Sequence, residues 1–113
     1  MLQQGPSALA ESRILLEDYA ERFGKVCRRN GCKVILYMVL PARATSFDFN
    51  NVAASYSSAA EKTRGSLCAF GIAWQNVWKT DPTVSLYGAD NFHPGIDGSV
   101  VAAMVMYRVV AGK

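Results

Sequence analysis

The chain's single histidine, His93, follows an aspartate by three residues in the stretch "LYGADNFHPG", positions 86–95. A neutral imidazole accepts a proton from a hydroxyl near neutral pH. It does so well when a carboxylate holds its second ring nitrogen in one tautomer and steadies the imidazolium that forms. Asp90 and His93 are close enough in sequence for one tight loop to bring them together. Pro94 biases His93 toward an extended backbone and can itself start a helix. Gly88, Gly95 and Gly98 allow the chain to turn sharply around the pair. The same spacing also describes a turn-capping aspartate beside a surface histidine, so the surrounding sequence has to discriminate.

The elements that would position this pair follow from hydrophobic periodicity. "ALAESRILLEDYAERFGKVCRRNG" predicts a helix, with Leu9, Leu16, Tyr19, Phe23, Val26 and Cys27 on one apolar face and a stop at Asn30–Gly31. "CKVILYMVLP", positions 32–41, predicts a strand buried on both faces. "ARATSFDFNN" is polar and predicts a loop, and "VAASYSSAAEKTRG" a second helix. "SLCAFGIAW", positions 66–74, predicts a second buried strand running into a loop, with a short helical turn before Pro82. A last helix spans about 95–111, apolar almost all round, which implies deep packing against a sheet. With a strand stub before the first helix, strands and helices alternate, which implies an α/β fold with a parallel sheet. Ligands in such sheets gather at the carboxyl ends of the strands. There "QQGPS", "PARATS" and the Gly71–Trp74 region would meet the Asp90–His93 loop.

Composition narrows the classes. The chain has 113 residues, half of them hydrophobic and 19% charged, which fits one globular domain rather than a disordered segment. Twelve basic and nine acidic residues give a net charge of +3. Arg28, Arg29 and Lys33 form the one small basic cluster, at a helix end whose dipole they complement. No aromatic platform or basic stripe accompanies it, so no nucleic-acid partner is expected. Cys27, Cys32 and Cys68 lack metal-ligand spacing. Cys32 and Cys68 lie in apolar runs as small core residues, and a Cys27–Cys32 disulfide is open on spacing alone. No metal and no cofactor are expected. "LQQGPS" after Met1 lacks the basic and apolar segments of a signal peptide. No apolar run is long enough for a membrane span, since Arg108 interrupts the nearest candidate.

The segment "LYGADNFHPGIDGSVVAAMVMYRVVAG" resembles, along its whole length, the final block of the SGNH (GDSL-type) hydrolase family. Asp90, Phe92, His93, Pro94, Gly98, Ser99, Ala102 and Ala103 stand at the matching places. "LQQGPSALAESR" looks like the version of the family's third block in which glutamine replaces the usual Gly-x-Asn-Asp. "YMVLPAR" and "FGIAWQNVW" fit the intervening strands and loops. The resemblance covers nearly the whole chain and only the C-terminal part of the family fold, a flavodoxin-like three-layer α/β/α sandwich.

The resemblance implies that residues 1–113 are the C-terminal portion of one such domain, with its N-terminal strands missing. It makes His93 the general base of a serine ester hydrolase acting on acetylated or similar small esters, and Asp90 the group that orients it. It makes Gln4, or Gln3, the side-chain amide donor of an oxyanion hole. The nucleophilic serine belongs to a Gly-Asp-Ser block that does not occur here. None of Ser7, Ser46, Ser55, Ser57, Ser58, Ser66, Ser85 or Ser99 stands in that setting. The expected partners are therefore a small ester substrate and an N-terminal segment carrying the serine. The isolated chain is expected to be inactive and to self-associate, through a strand at Val34–Leu40 with little partner on one side and through exposed faces of the first and last helices. The alternative is a catalytically silent α/β module that acts through partner binding. A flavodoxin-like nucleotide-binding protein is a third reading, disfavoured by the lack of a Gly-rich phosphate loop. Trp74 and Trp78 fall near the expected rim, where aromatics line acyl or sugar pockets, although burial in the core is the commoner fate of tryptophan. Arg43 could meet an anionic substrate group or remain a solvated loop residue.

Overall fold

The computed structural model describes residues 1–112. It is a mostly helical α/β structure whose two-stranded parallel sheet packs against helices. The elements run α1 (Ala10–Arg29), β1 (Ile35–Tyr37), a 3₁₀ segment (Arg43–Asp48), α2 (Phe49–Thr63), β2 (Ser66–Cys68), α3 (Phe70–Thr80) and α4 (Ile96–Ala111). β1 and β2 pair in parallel with Leu36 opposite Leu67. On its other side β1 has one partner residue: Leu2 forms a parallel bridge to Leu36, donating to the Ile35 carbonyl and accepting from Tyr37 N–H, both at 2.8 Å. The stub expected before the first helix is thus present as a single bridge.

The core is built from the sheet, α1, α2, α3 and the connection from α3 to α4, with Ala102 of α4. Leu36, Met38, Val52, Tyr56, Ala59, Cys68 and Trp74 are fully buried. α1 meets α2 through Leu16, Ala20 and Gly24, one helical turn apart. A Cβ on Gly24 would come within 3.2 Å of the Thr63 side chain, so a small residue there lets the helices close. Polar ties then fix their register. Arg13 Nε donates to Ser55 Oγ at 2.9 Å, Lys62 and Ser58 both hold the Glu17 carboxylate, and Arg28 Nη1 donates to Thr63 O at 2.6 Å. Arg28 therefore also satisfies a carbonyl at the end of the neighbouring helix.

Several sequence expectations need correction. The strand predicted over 32–41 hydrogen-bonds as a ladder only over Ile35–Tyr37, although the chain stays extended and its side chains alternate between buried and half-buried from Val34 to Leu40. The strand predicted over 66–74 stops at Cys68, and Phe70 opens an eleven-residue helix, so Gly71–Trp74 is helix and not a rim loop. Apolar runs of this length fit a buried helix as well as a strand. The predicted loop at 42–51 is a 3₁₀ segment leading into α2 three residues early. Of the apolar face predicted for the first helix, Tyr19, Phe23 and Val26 on α1 and Leu9 just before it are exposed. Of the predicted face Leu16 is buried and Cys27 half-buried, and the rest of the packing stripe runs through Ala20 and Gly24. α4 does not pack deep: only Gly98 and Ala102 are buried, and Ile96 is 85% exposed. Cys32 is exposed rather than core, and all three cysteines are free.

Candidate active site

The connection from α3 to α4 is a closed hairpin. Tyr87 and Pro94 form an antiparallel bridge. Gly95 N–H donates to Leu86 O and Gly88 N–H to His93 O, both at 2.8 Å, and Asn91 N–H donates to Gly88 O at 3.0 Å. At the tip, Asp90 Oδ1 accepts the backbone N–H groups of Phe92 (3.0 Å) and His93 (2.9 Å), the turn that aspartate favours. Its other oxygen, Oδ2, lies 2.6 Å from His93 Nδ1. An ionised carboxylate only accepts, so Nδ1 carries the proton. In the neutral ring that leaves Nε2 with its lone pair free, as a base requires. The bond from His93, with those from the two backbone N–H groups, holds the Asp90 carboxyl at about 2, below its ordinary 3.8. The pair faces solvent, with 72% of the His93 side chain and 52% of Asp90 exposed. Phe92 stands edge-on to the imidazole, 4.7 Å between ring centres.

The hairpin is anchored at its base and clamped near its tip. Tyr87 Oη donates to Pro41 O at 2.7 Å, and burial pushes its hydroxyl pKa up. Arg43 grips Asn91 twice, donating its backbone N–H to Asn91 O at 2.9 Å and Nη1 to Asn91 Oδ1 at 3.2 Å. Asn91 has φ +54°, a left-handed conformation that asparagine tolerates better than most residues. Trp74 Nε1 donates to Gly98 O at 3.2 Å, tying α4 to α3. A Cβ on Gly98 would lie 2.1 Å from Leu86 O and 2.4 Å from the Trp74 ring, so only glycine permits this approach. Asn91, Tyr87 and Arg43 as clamps went unnoticed in the sequence. An asparagine at the centre of a glycine-flanked loop was the available signal.

Leu2 runs parallel to β1, so Gln3 and Gln4 follow it toward the carboxyl end of β1, the end beyond which Pro41 and Arg43 hold the hairpin. Gln3 is exposed. The Gln4 amide is already engaged: Nε2 donates to Ser7 Oγ at 3.0 Å and Ser12 O at 3.3 Å. The buried Tyr56 hydroxyl accepts Gln4 N–H at 3.0 Å and donates to Gln4 O, closing the turn. Among the described residues no serine hydroxyl is hydrogen-bonded to His93, no three His, Cys, Asp or Glu residues gather as a metal site, and no helix is long and apolar enough to cross a membrane. Trp74 is wholly buried, while Trp78 is half-buried and walls a pocket beside the hairpin.

The arrangement delivers an oriented, solvent-facing imidazole base, with neither a bound nucleophile nor a free oxyanion donor from Gln4. Comparison with protein-family models, with curated proteins and with solved structures finds no match.

Proposed function

We propose that the chain supplies the Asp-His half of a serine ester hydrolase active site of the SGNH type. It would do so as the C-terminal part of a flavodoxin-like three-layer fold. The observation that carries this reading is the Asp90–His93 bond: one carboxylate oxygen is consumed by the turn, and the other is left to fix the imidazole tautomer. His93 Nε2 would take the proton of a serine hydroxyl as it attacks the ester carbonyl, then return it to the departing alcohol. Asp90 acts as a positioning residue. The serine would come from a Gly-Asp-Ser segment outside these 113 residues, since no serine here is paired with the base.

The exposed apolar surfaces agree with a segment still to be docked. Tyr19, Phe23 and Val26 on α1, and Val100, Met104 and Tyr107 on α4, are each at least half exposed. Such surface promotes association. The same surfaces favour the second reading, a catalytically silent module whose role is to bind a partner. Co-expression with a Gly-Asp-Ser-bearing N-terminal segment separates the two. The hydrolase reading expects a soluble complex whose hydrolysis of an aryl acetate needs both that serine and His93. The chain alone should hydrolyse no faster than free imidazole and should bind a hydrophobic dye. A stable complex with no turnover would overturn the hydrolase reading in favour of the binding module.

A further inference from the structure

We propose that the pocket of about 340 Å³ beside the hairpin binds a ring-bearing carboxylate, the anionic end of the small ester assigned above to His93. Naming the ester rests on that assignment; the pocket's preference for a carboxylate does not. Arg43, Ser46, Trp78, Ser85 and Tyr87 line it. Arg43 belongs both to this pocket and to the clamp on Asn91, two residues from His93, which makes the pocket a neighbour of the base.

Three features select the ligand. The first is charge. Among the described residues Arg43 forms no ion pair, and Asn91 engages only one of its guanidinium nitrogens. A guanidinium carries five N–H donors in a planar fork suited to a carboxylate. The second is the set of free hydroxyls. Ser85 makes only a long 3.4 Å bond to Tyr87 O, and the Ser46 hydroxyl bonds to none of the described residues. The third is the aromatic wall. Trp78 and Tyr87 lie 28° from parallel with ring centres 5.9 Å apart, and Trp78 Nε1 donates to Val84 O at 3.0 Å, which fixes the indole. Rigid aromatic faces beside convergent polar groups are the usual build of a small-molecule site, and the volume is at the small end of that range. An acyl chain would set apolar atoms against the Arg43 guanidinium and the two serines and use none of their remaining donors.

The test is tryptophan fluorescence of the full 113-residue chain, titrated at constant ionic strength with D-glucuronate and, separately, with methyl glucoside. Glucuronate should give a saturable change and the neutral sugar at least tenfold weaker binding. Arg43→Gln should weaken glucuronate binding at least tenfold. Asn91→Ala removes the side-chain half of the clamp but keeps its backbone half and the cation, so it should bind within about threefold of the native chain. Equal binding of the two sugars, no saturable response, or an Asn91→Ala loss as large as that of Arg43→Gln would each overturn the site. Because this binding is read without turnover, a failure of ester hydrolysis with glucuronate binding intact counts against the hydrolase reading alone.

Discussion

The hairpin carrying Asp90 and His93 and the turn carrying Gln4 both lie toward the carboxyl end of β1, yet they use their polar side chains in opposite directions. In the hairpin, backbone N–H groups saturate one oxygen of Asp90 and leave the other to hold an outward-facing imidazole. In the N-terminal turn, the amide of Gln4 folds back on Ser7 and Ser12, and the turn is pinned from beneath by Tyr56. Both are short loops stabilised by local hydrogen bonds. One presents chemistry and the other consumes it. The difference lies in which group has capacity left over after the turn is made.

The sharpest way to break this comparison is Asp90→Asn. The amide keeps an oxygen to accept the turn N–H groups but cannot act as an acceptor-only partner at both positions, so the ring loses its enforced tautomer. In the complemented enzyme, turnover should fall by about 10³-fold or more, with a changed pH profile and a shifted ¹⁵N signature of the His93 tautomer. A loss of activity with the tautomer unchanged would show that Asp90 acts on the fold and not on the base.

The sequence disclosed these two regions unequally for physical reasons. Asp90 and His93 interact across three residues, so their pairing could be argued from local spacing. The Gln4 amide turns back on Ser7 and Ser12, and the turn that lets it do so is pinned through the Gln4 backbone by Tyr56, fifty-two positions away, which no local pattern exposes. The same distinction governs the fold. The long periodic helices α1, α2 and α4 were legible in outline. The face that α1 buries was legible only in part: Leu16 lies on it as the periodicity implies, but Ala20 and Gly24 complete the contact through small size rather than hydrophobicity. The apolar run 66–74 fits a strand running into a loop as well as a strand followed by a buried helix, since the two share a composition, and the helix from Phe70 is therefore invisible in it. On the far side of β1 the sheet is held by one bridge at Leu2, a contact between distant positions.

Tyr56→Phe should be the next largest effect. The hydroxyl is buried and serves both backbone groups of Gln4. Removing it leaves a part-buried donor and acceptor unpaired, at a cost of about 1–3 kcal/mol, read as a lower urea midpoint with unchanged slope. The nuclear magnetic resonance signals of the hairpin should not move, since its anchors are Pro41 and Arg43. Coupled shifts at His93 would show that the two loops are one unit.

Gln4→Ala should do less. It removes two half-buried hydrogen bonds, one of them long, about 1–2 kcal/mol in sum, and in the proposed complex should lower turnover by less than tenfold. Loss of an oxyanion donor costs about 10²–10³-fold. A drop of that size at unchanged stability would mean that the Gln4 amide leaves Ser7 and Ser12 when an ester is bound, and that the contrast between the two loops holds only in the free chain.

The smallest effect is the most direct readout of the hairpin. The Asp90 carboxyl titrates at about 2 rather than 3.8, first because His93 donates to it and then because two backbone N–H groups do. A depressed folded value means that the pairing contributes to stability above about 3.8, and that the contribution is lost as the pH falls from there through about 2. Both side chains are largely exposed and screened by solvent, so the melting temperature should barely respond. The carboxyl ¹³C shift should respond clearly, with a midpoint near 2 in the native chain. In His93→Ala the midpoint should rise toward 3.8 without reaching it, because the backbone N–H groups at positions 92 and 93 still point at Oδ1. A native midpoint near 3.8, or one that His93→Ala leaves in place, would mean that the carboxylate serves the turn alone and the imidazole is free of it.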